Sequence, residues 1–270
     1  MNYSKIAFIG AGNMASALIH GLVAKDVPPQ NITACDIDES KLEELKDQCG
    51  IQTTADMRTV ASTADVLVLA VKPQVMSDVC QSLTPHLKEE EQVIISIAAG
   101  VPLASFAAWL GEDKAIVRCM PNTPALVSTG ATGLVANPNT AGSQRALAES
   151  VMSAVGICRW LSSESDIDAV TALSGSGPAY YFLLMEAMEQ VGIEMGLDPE
   201  LARSFTIQTA LGAAKLAASG DVAPEELRRR VTSPGGTTQA AIETFEAEGL
   251  REIVKKALSA AQKRSVELAG

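Results

Sequence analysis

Histidine is nearly missing from this chain: 270 residues hold only two, His20 and His86. The first falls inside a helix-like stretch, and the second follows Pro85 in a surface-like segment. Neither is placed at a strand end or glycine-rich turn, where a general acid or base is wanted, so the chain is poorly equipped to oxidise a 2-hydroxy acid. Aromatic residues are sparse too, at 4%. With a C-terminal half rich in Ala, Gly and Leu, that favours closely packed helices over a β-sandwich. The five cysteines, at 35, 49, 80, 119 and 158, form no C-x-x-C pair and no cluster with histidine. Three of them sit in or beside apolar runs and read as buried small hydrophobes, the five read as inert reduced thiols, and no metal site is expected. Basic residues are outnumbered, 21 Lys and Arg against 32 Asp and Glu, for a net charge of −11. That argues against nucleic acid or an anionic membrane as partner. No apolar run reaches the roughly 18 residues of a membrane span, and no signal peptide precedes the first strand-like run. A cytoplasmic protein is the expectation.

The chain that remains is long enough for two domains. Short apolar runs at 5–10, 32–36, 66–71, 93–97, 115–120, 131–136 and 157–161 read as strands. The first several are continuously apolar, as in a parallel sheet covered on both faces. Helix-like stretches such as 39–49 and 75–83 lie between them, so the first part of the chain reads as right-handed βαβ units in a doubly wound, Rossmann-type sheet. After about Ser162 strand-like runs disappear. Helices are predicted at 166–173, 178–195, 199–219, 224–231, 237–248 and 250–268. Pro178, Pro199 and Pro224 mark first turns, and Gly196, Gly220 and Gly249 fall where a left-handed cap is wanted. The fold class is therefore α/β, with residues 1–162 as a dinucleotide-binding domain and 163–270 as an all-helical domain. Long apolar faces such as YYFLLMEAMEQVGIEM from Tyr180 suit a core shared between two subunits, so a homodimer through the helical domain is expected.

The run IAFIGAGNMA from Ile6 places Gly10-Ala11-Gly12-Asn13-Met14-Ala15 between a strand and a helix. Gly10 permits a tight turn, Gly12 lets backbone approach a pyrophosphate, and Ala15 allows close helix–sheet packing. The helix start offers amides and a positive dipole end to the phosphates. Asp36 ends the next strand, about 20 residues beyond the turn, where an acid binds the ribose and repels a 2′-phosphate. Taken alone it favours NADH over NADPH; Asp38 competes for the role, and Lys41 is the nearest cation able to reach a phosphate. Two more strand ends are candidate cofactor contacts: Ala70-Val71-Lys72-Pro73, and Ala98-Ala99 before Gly100. Ligands of such sheets lie outside the carboxyl ends of the strands.

The second glycine loop, SPGGTT from Ser233, also precedes a helix. Amides around Gly236, Thr237 and Thr238, with the Ser233 hydroxyl, form a cradle for a small carboxylate. The plainer reading is a glycine-rich cap with Thr237 or Thr238 as N-cap. A dinucleotide cradle, a carboxylate cradle and no histidine together point to reduction of a C=N bond, whose nitrogen is basic enough to arrive protonated. Two rivals remain. A β-hydroxyacid dehydrogenase needs a catalytic lysine, and Lys215 is the only one between Lys114 and Lys255, within ALGAAKLAA. A dinucleotide-binding regulator without turnover is the other.

FIGAGNMA, AVKP, SIAAGV, RCMPNTPA from Arg118, LSGSGPAY from Leu173 and SPGGTT occur in that order along essentially the whole chain. In this the sequence closely resembles the pyrroline-5-carboxylate reductase family. The resemblance implies a Rossmann domain, a helical dimerisation domain and rings of dimers. It implies NADPH or NADH as hydride donor to the C=N bond of 1-pyrroline-5-carboxylate, giving L-proline as the last step of proline biosynthesis. It implies further that Thr238 hydrogen-bonds the substrate nitrogen and that Ser233, Gly235, Gly236 and Thr237 hold the carboxylate. Met120 and Thr171 would line the pocket. The family often prefers NADPH, from which Asp36 departs.

Overall fold

The computed structural model describes residues 4–88 and 91–269. Those up to Ser176, rejoined by those from Ala261 on, form one compact unit, and Gly177–Ala260 form a second.

The first unit is built on eight strands: β1 (Ile6–Ile9), β2 (Ile32–Cys35), β3 (Gln52–Thr54), β4 (Val66–Leu69), β5 (Val93–Ser96), β6 (Ala115–Met120), β7 (Gly130–Ala136) and β8 (Gly156–Trp160). Their order across the sheet is β3-β2-β1-β4-β5-β6-β7-β8. The chain therefore winds outward from β1 to β3, returns to β4, and winds outward the other way. All neighbours are parallel except β6 and β7, which run antiparallel, with Met120 opposite Gly133. Between the strands lie α1 (Asn13–Ala24), α2 (Glu39–Cys49), α3 (Met57–Thr63), α4 (Pro73–Leu83), α5 (Leu103–Leu110) and α6 (Gly142–Met152).

Alternation along the central strands feeds two cores. Ile6 and Phe8 of β1 pack with Leu18, Ile19 and Leu22 of α1, Leu42 and Leu45 of α2, and Val151 and Met152 of α6. Ala7 and Ile9 face the opposite way, with Val60, Met76, Leu83 and Phe106 from α3, α4 and α5. Val66, Leu67, Val68 and Leu69 of β4 are wholly buried, which is why that run carries no polar alternation. Each such side chain contributes about 1.5–3 kcal/mol.

Past β8 the predicted helix over 166–173 is broken in two. α7 (Asp166–Val170) gives way to a π-helical turn over Thr171–Gly175, in which the Ser176 amide reaches back to the Thr171 carbonyl at 2.8 Å. Residues 261–269 also pack on this unit. The Ser265 hydroxyl donates to the Asp168 carboxylate at 2.7 Å, and the Leu268 carbonyl sits where a β-carbon on Gly100 would be 3.2 Å away.

The second unit is helical: α8 (Gly177–Glu194), α9 (Pro199–Ala218), α10 (Pro224–Arg230), α11 (Thr237–Ala247) and the first part of α12 (Leu250–Ala269). Pro199 and Pro224 are first helical residues, and Asp198 caps α9 by accepting the Glu200 and Leu201 amides. Gly196 and Gly249 take positive φ, +99° and +76°, but Gly220 does not. α9 ends instead in an ordinary turn at Ser219, whose hydroxyl and amide both donate to the Leu216 carbonyl, so no left-handed residue is needed. Among the large apolar side chains of α8 and α9, Tyr181, Phe182, Leu183 and Phe205 are each at least 60% exposed. The helices do not hide these faces against one another.

Candidate active site

The sheet reverses its winding between β1 and β4, and ligands of such sheets bind outside the carboxyl ends of the strands at that point. Gly10 leaves β1 with φ +102°, and a β-carbon on it would stand 2.7 Å from the Ala70 carbonyl oxygen. Only glycine lets the two strand ends close so tightly. The neighbouring amides complete the register: Gly10 donates to Cys35 and Ala70 donates to Ile9. Gly12 is the opposite case, since a β-carbon there would meet nothing within 4 Å. Its open side lies at the N-terminus of α1, which no side chain caps. The first-turn amides of Asn13 and Met14 are thus left for an anion, and the cradle fits a dinucleotide pyrophosphate.

Asp36 lies beside this turn, and its carboxylate is engaged by backbone: Oδ2 accepts the Ala11 amide at 2.7 Å and Oδ1 the Asp38 amide at 3.0 Å. Asp38 caps α2 by accepting the Ser40 amide and hydroxyl, and Lys41 is paired to it at 3.2 Å. The Ser40 hydroxyl and Lys41 hold the Asp38 carboxyl below its usual range. Ala70 and Val71 are half-buried at the end of β4. Lys72 is the exposed N-cap of α4, with Pro73 as its first residue. Ala98 is buried and Ala99 exposed in the turn after β5.

The histidines stand elsewhere. His20 Nδ1 is 2.8 Å from the Ser16 carbonyl within α1 and Nε2 is 3.0 Å from Gln48 of α2, while His86 ends a short turn after α4.

In the helical unit Gly235 takes φ +74° and Gly236, not a threonine, is the N-cap of α11. Two amides of this loop are already spent: Gly236 donates to the Ser233 carbonyl at 3.1 Å and Gly235 to the Gln239 side chain at 2.6 Å. Thr237 and Thr238 are the first two residues of the helix, exposed, with no side chain capping their amides. An acceptor for those amides must come from outside the loop.

Two family models match the chain: pyrroline-5-carboxylate reductase dimerisation over residues 164–268 and NADP oxidoreductase coenzyme F420-dependent over 5–100. The chain is 54% identical to the pyrroline-5-carboxylate reductase of Pseudomonas aeruginosa over 269 residues, covering 100% of this chain and 98% of that one. It is 44% identical to that of Vibrio alginolyticus, with 99% and 98% covered. A solved pyrroline-5-carboxylate reductase from Coxiella burnetii superposes with a TM-score of 0.97 at 47% identity, all of both chains covered. The chain belongs to the pyrroline-5-carboxylate reductase family. It is an NAD(P)-dependent oxidoreductase with a dimerisation segment, and among its described residues no helix is long and apolar enough to cross a membrane.

Of the reductase's predicted site residues, Gly10, Ala11, Gly12, Asn13, Met14, Asp36, Ala70–Pro73, Ala98 and Ala99 follow the carboxyl ends of four adjacent strands, β2, β1, β4 and β5. Met120, at the end of β6, reaches the π-helical turn: its Cε is where a β-carbon on Gly175 would be only 2.6 Å away. Thr171 begins that turn, its hydroxyl donating to the Ile167 carbonyl at 2.7 Å. Ser233 and Gly235–Thr238 are carried by the helical unit. Sequence reasoning passed over Asn122 and the turn itself. The visible signal was a polar residue amid MPNTPA, and a Gly-Ser-Gly-Pro string too rich in helix breakers to continue a regular helix.

Proposed function

We propose that this chain transfers a hydride from NAD(P)H to the C=N bond of 1-pyrroline-5-carboxylate, giving L-proline. One observation carries the reading: the chain has two uncapped helix N-termini, each behind a glycine loop, one in each unit. The α1 start, with Gly10, Ala11, Gly12, Asn13 and Met14, holds the pyrophosphate. Asp36, Ala70, Val71, Lys72, Pro73, Ala98 and Ala99 line the rest of the dinucleotide's path. When bound, NAD(P)H supplies the hydride. The Thr237 and Thr238 amides with the Ser233 hydroxyl hold the substrate carboxylate, in a loop whose turn Gly235 and Gly236 shape, and the Thr238 hydroxyl hydrogen-bonds the ring nitrogen. Met120 and Thr171 line the pocket. Because the imine nitrogen carries its own proton, no histidine is required.

The same reading gives residues 1–162 to the dinucleotide and 163–270 to dimerisation and substrate, and the dimerisation family model begins at 164. The exposed apolar faces of α8 and α9 support a homodimer, further assembled as a ring of dimers. NADH is placed above NADPH, because Asp36 presents a carboxylate and Lys41 is tied to Asp38. Five free, buried cysteines suit a reducing cytoplasm. The decisive assay is oxidation of NADH and, separately, NADPH with 1-pyrroline-5-carboxylate, scoring proline. Turnover with neither, despite dinucleotide binding, would sink the assignment in favour of the regulator.

A further inference from the structure

Asn122 follows Pro121 in the loop after β6, and it is 91% buried, with 9% of its surface exposed. Its side chain bridges two backbones. Oδ1 accepts the Ala131 amide of β7 at 2.9 Å, and Nδ2 donates to the Ser174 carbonyl at 3.0 Å. The assignment is chemically fixed, since an amide can only donate and a carbonyl only accept. The Ser174 carbonyl takes that donor where a regular helix could offer it none. An α-helix would supply one from residue 178, which is proline and has no N–H. Asn122 therefore fixes the π-helical turn against the end of β6. Two contacts depend on that register: Met120 Cε seated on bare Gly175, and the placing of Thr171. π-Helical turns concentrate at functional sites, where they re-aim side chains.

We propose that Asn122 is a positioning residue for the substrate: through its carboxamide it holds Met120 and Thr171 in the register that shapes the imine pocket, without touching the dinucleotide. This rests on the reading that Met120 and Thr171 line that pocket. Asn122→Asp is the sharpest test. It has nearly the same shape and still accepts from Ala131, but it sets an oxygen against the Ser174 carbonyl. In the full-length protein KM for 1-pyrroline-5-carboxylate rises about tenfold, while the NADPH dissociation constant, titrated without substrate, stays within about twofold. Met120→Ala is run beside it. If Met120→Ala raises KM and Asn122→Asp does not, the positioning role is overturned and the pocket reading stands. If neither raises KM, the pocket reading fails and the proposal falls with it. If KM and the NADPH constant rise together, the change is a general loosening, which also overturns it. Should Asn122→Asp not fold, Gly175→Ala disturbs the same register by pressing a methyl on the flexible end of Met120. KM must then rise with NADPH binding intact, and an unchanged KM overturns the proposal.

Discussion

The Asp36 carboxylate accepts the Ala11 amide at 2.7 Å, so the acid at the end of β2 is built into the glycine turn it stands beside. It still has lone pairs for a ribose hydroxyl, but it anchors the loop whether or not a ribose is present. Asp36→Ser therefore has two effects. Both dinucleotides bind more weakly, because Ala11 loses its acceptor. The ratio of kcat/KM for NADPH over NADH also rises about tenfold, equivalent to about 1.4 kcal/mol, as the repulsion of a 2′-phosphate is removed. Steady-state kinetics with each cofactor read the ratio; if it does not move, the carboxylate serves the loop alone.

Thr238→Ala removes a hydroxyl from the second residue of α11 and leaves its amide in place. The expected loss is about ten- to a hundredfold in kcat, with the NADPH dissociation constant unchanged, because the missing bond strengthens as charge develops on nitrogen. Turnover equal to wild type would remove Thr238 from the chemistry.

Arg118 on β6 is 5% exposed and pairs with Glu164 at 2.7 Å, and the same carboxylate oxygen accepts the first amide of α5 at Leu103. Removing one partner costs unequally. Glu164→Ala strands a buried guanidinium and costs about 3–5 kcal/mol, whereas Arg118→Met leaves a carboxylate that can turn to water and costs less. Thermal melts at one fixed protein concentration would show Glu164→Ala as the weaker protein; the reverse order would mean that the arginine's apolar stem matters more than its charge.

Cys80 in α4 is fully buried, and burial pushes its thiol from 9.0 up to about 12. Between those values the native state keeps a proton that the unfolded chain has lost, so stability falls as the pH climbs through this window. Cys80→Ala shows a shallower alkaline decline in denaturant midpoint. At pH 8 native Cys80 resists iodoacetamide while the unfolded chain reacts. Rapid native alkylation would contradict the burial.

The strands that position the dinucleotide were legible because continuous apolar runs have few other places to go. The exceptions are instructive. β3, Gln-Thr-Thr, is a short polar edge strand with no core side to declare itself. β7 shares the period of a parallel strand, so nothing in its residues announced that it runs against β6. The π-helical turn depends on Asn122, distant in sequence, and on the missing N–H of Pro178; no local helix propensity reports either. The glycine loops were readable as cradles, yet the sequence did not disclose that Gly235 and Gly236 spend their amides on Gln239 and Ser233, leaving Thr237 and Thr238 as donors.

Residues 261–269 pack beside Asp168 and Gly100 although the whole helical unit separates them from those partners in the chain. A ribosome emits sequence in one direction, so the nucleotide-holding unit is left one piece short while residues 177–260 are made, several seconds at about 5–20 residues per second. Its neighbour must be translated before its own last seam can close. Maturation of the sheet unit is thus timed by the segment that recruits the second subunit, and a chain released early would lose both together.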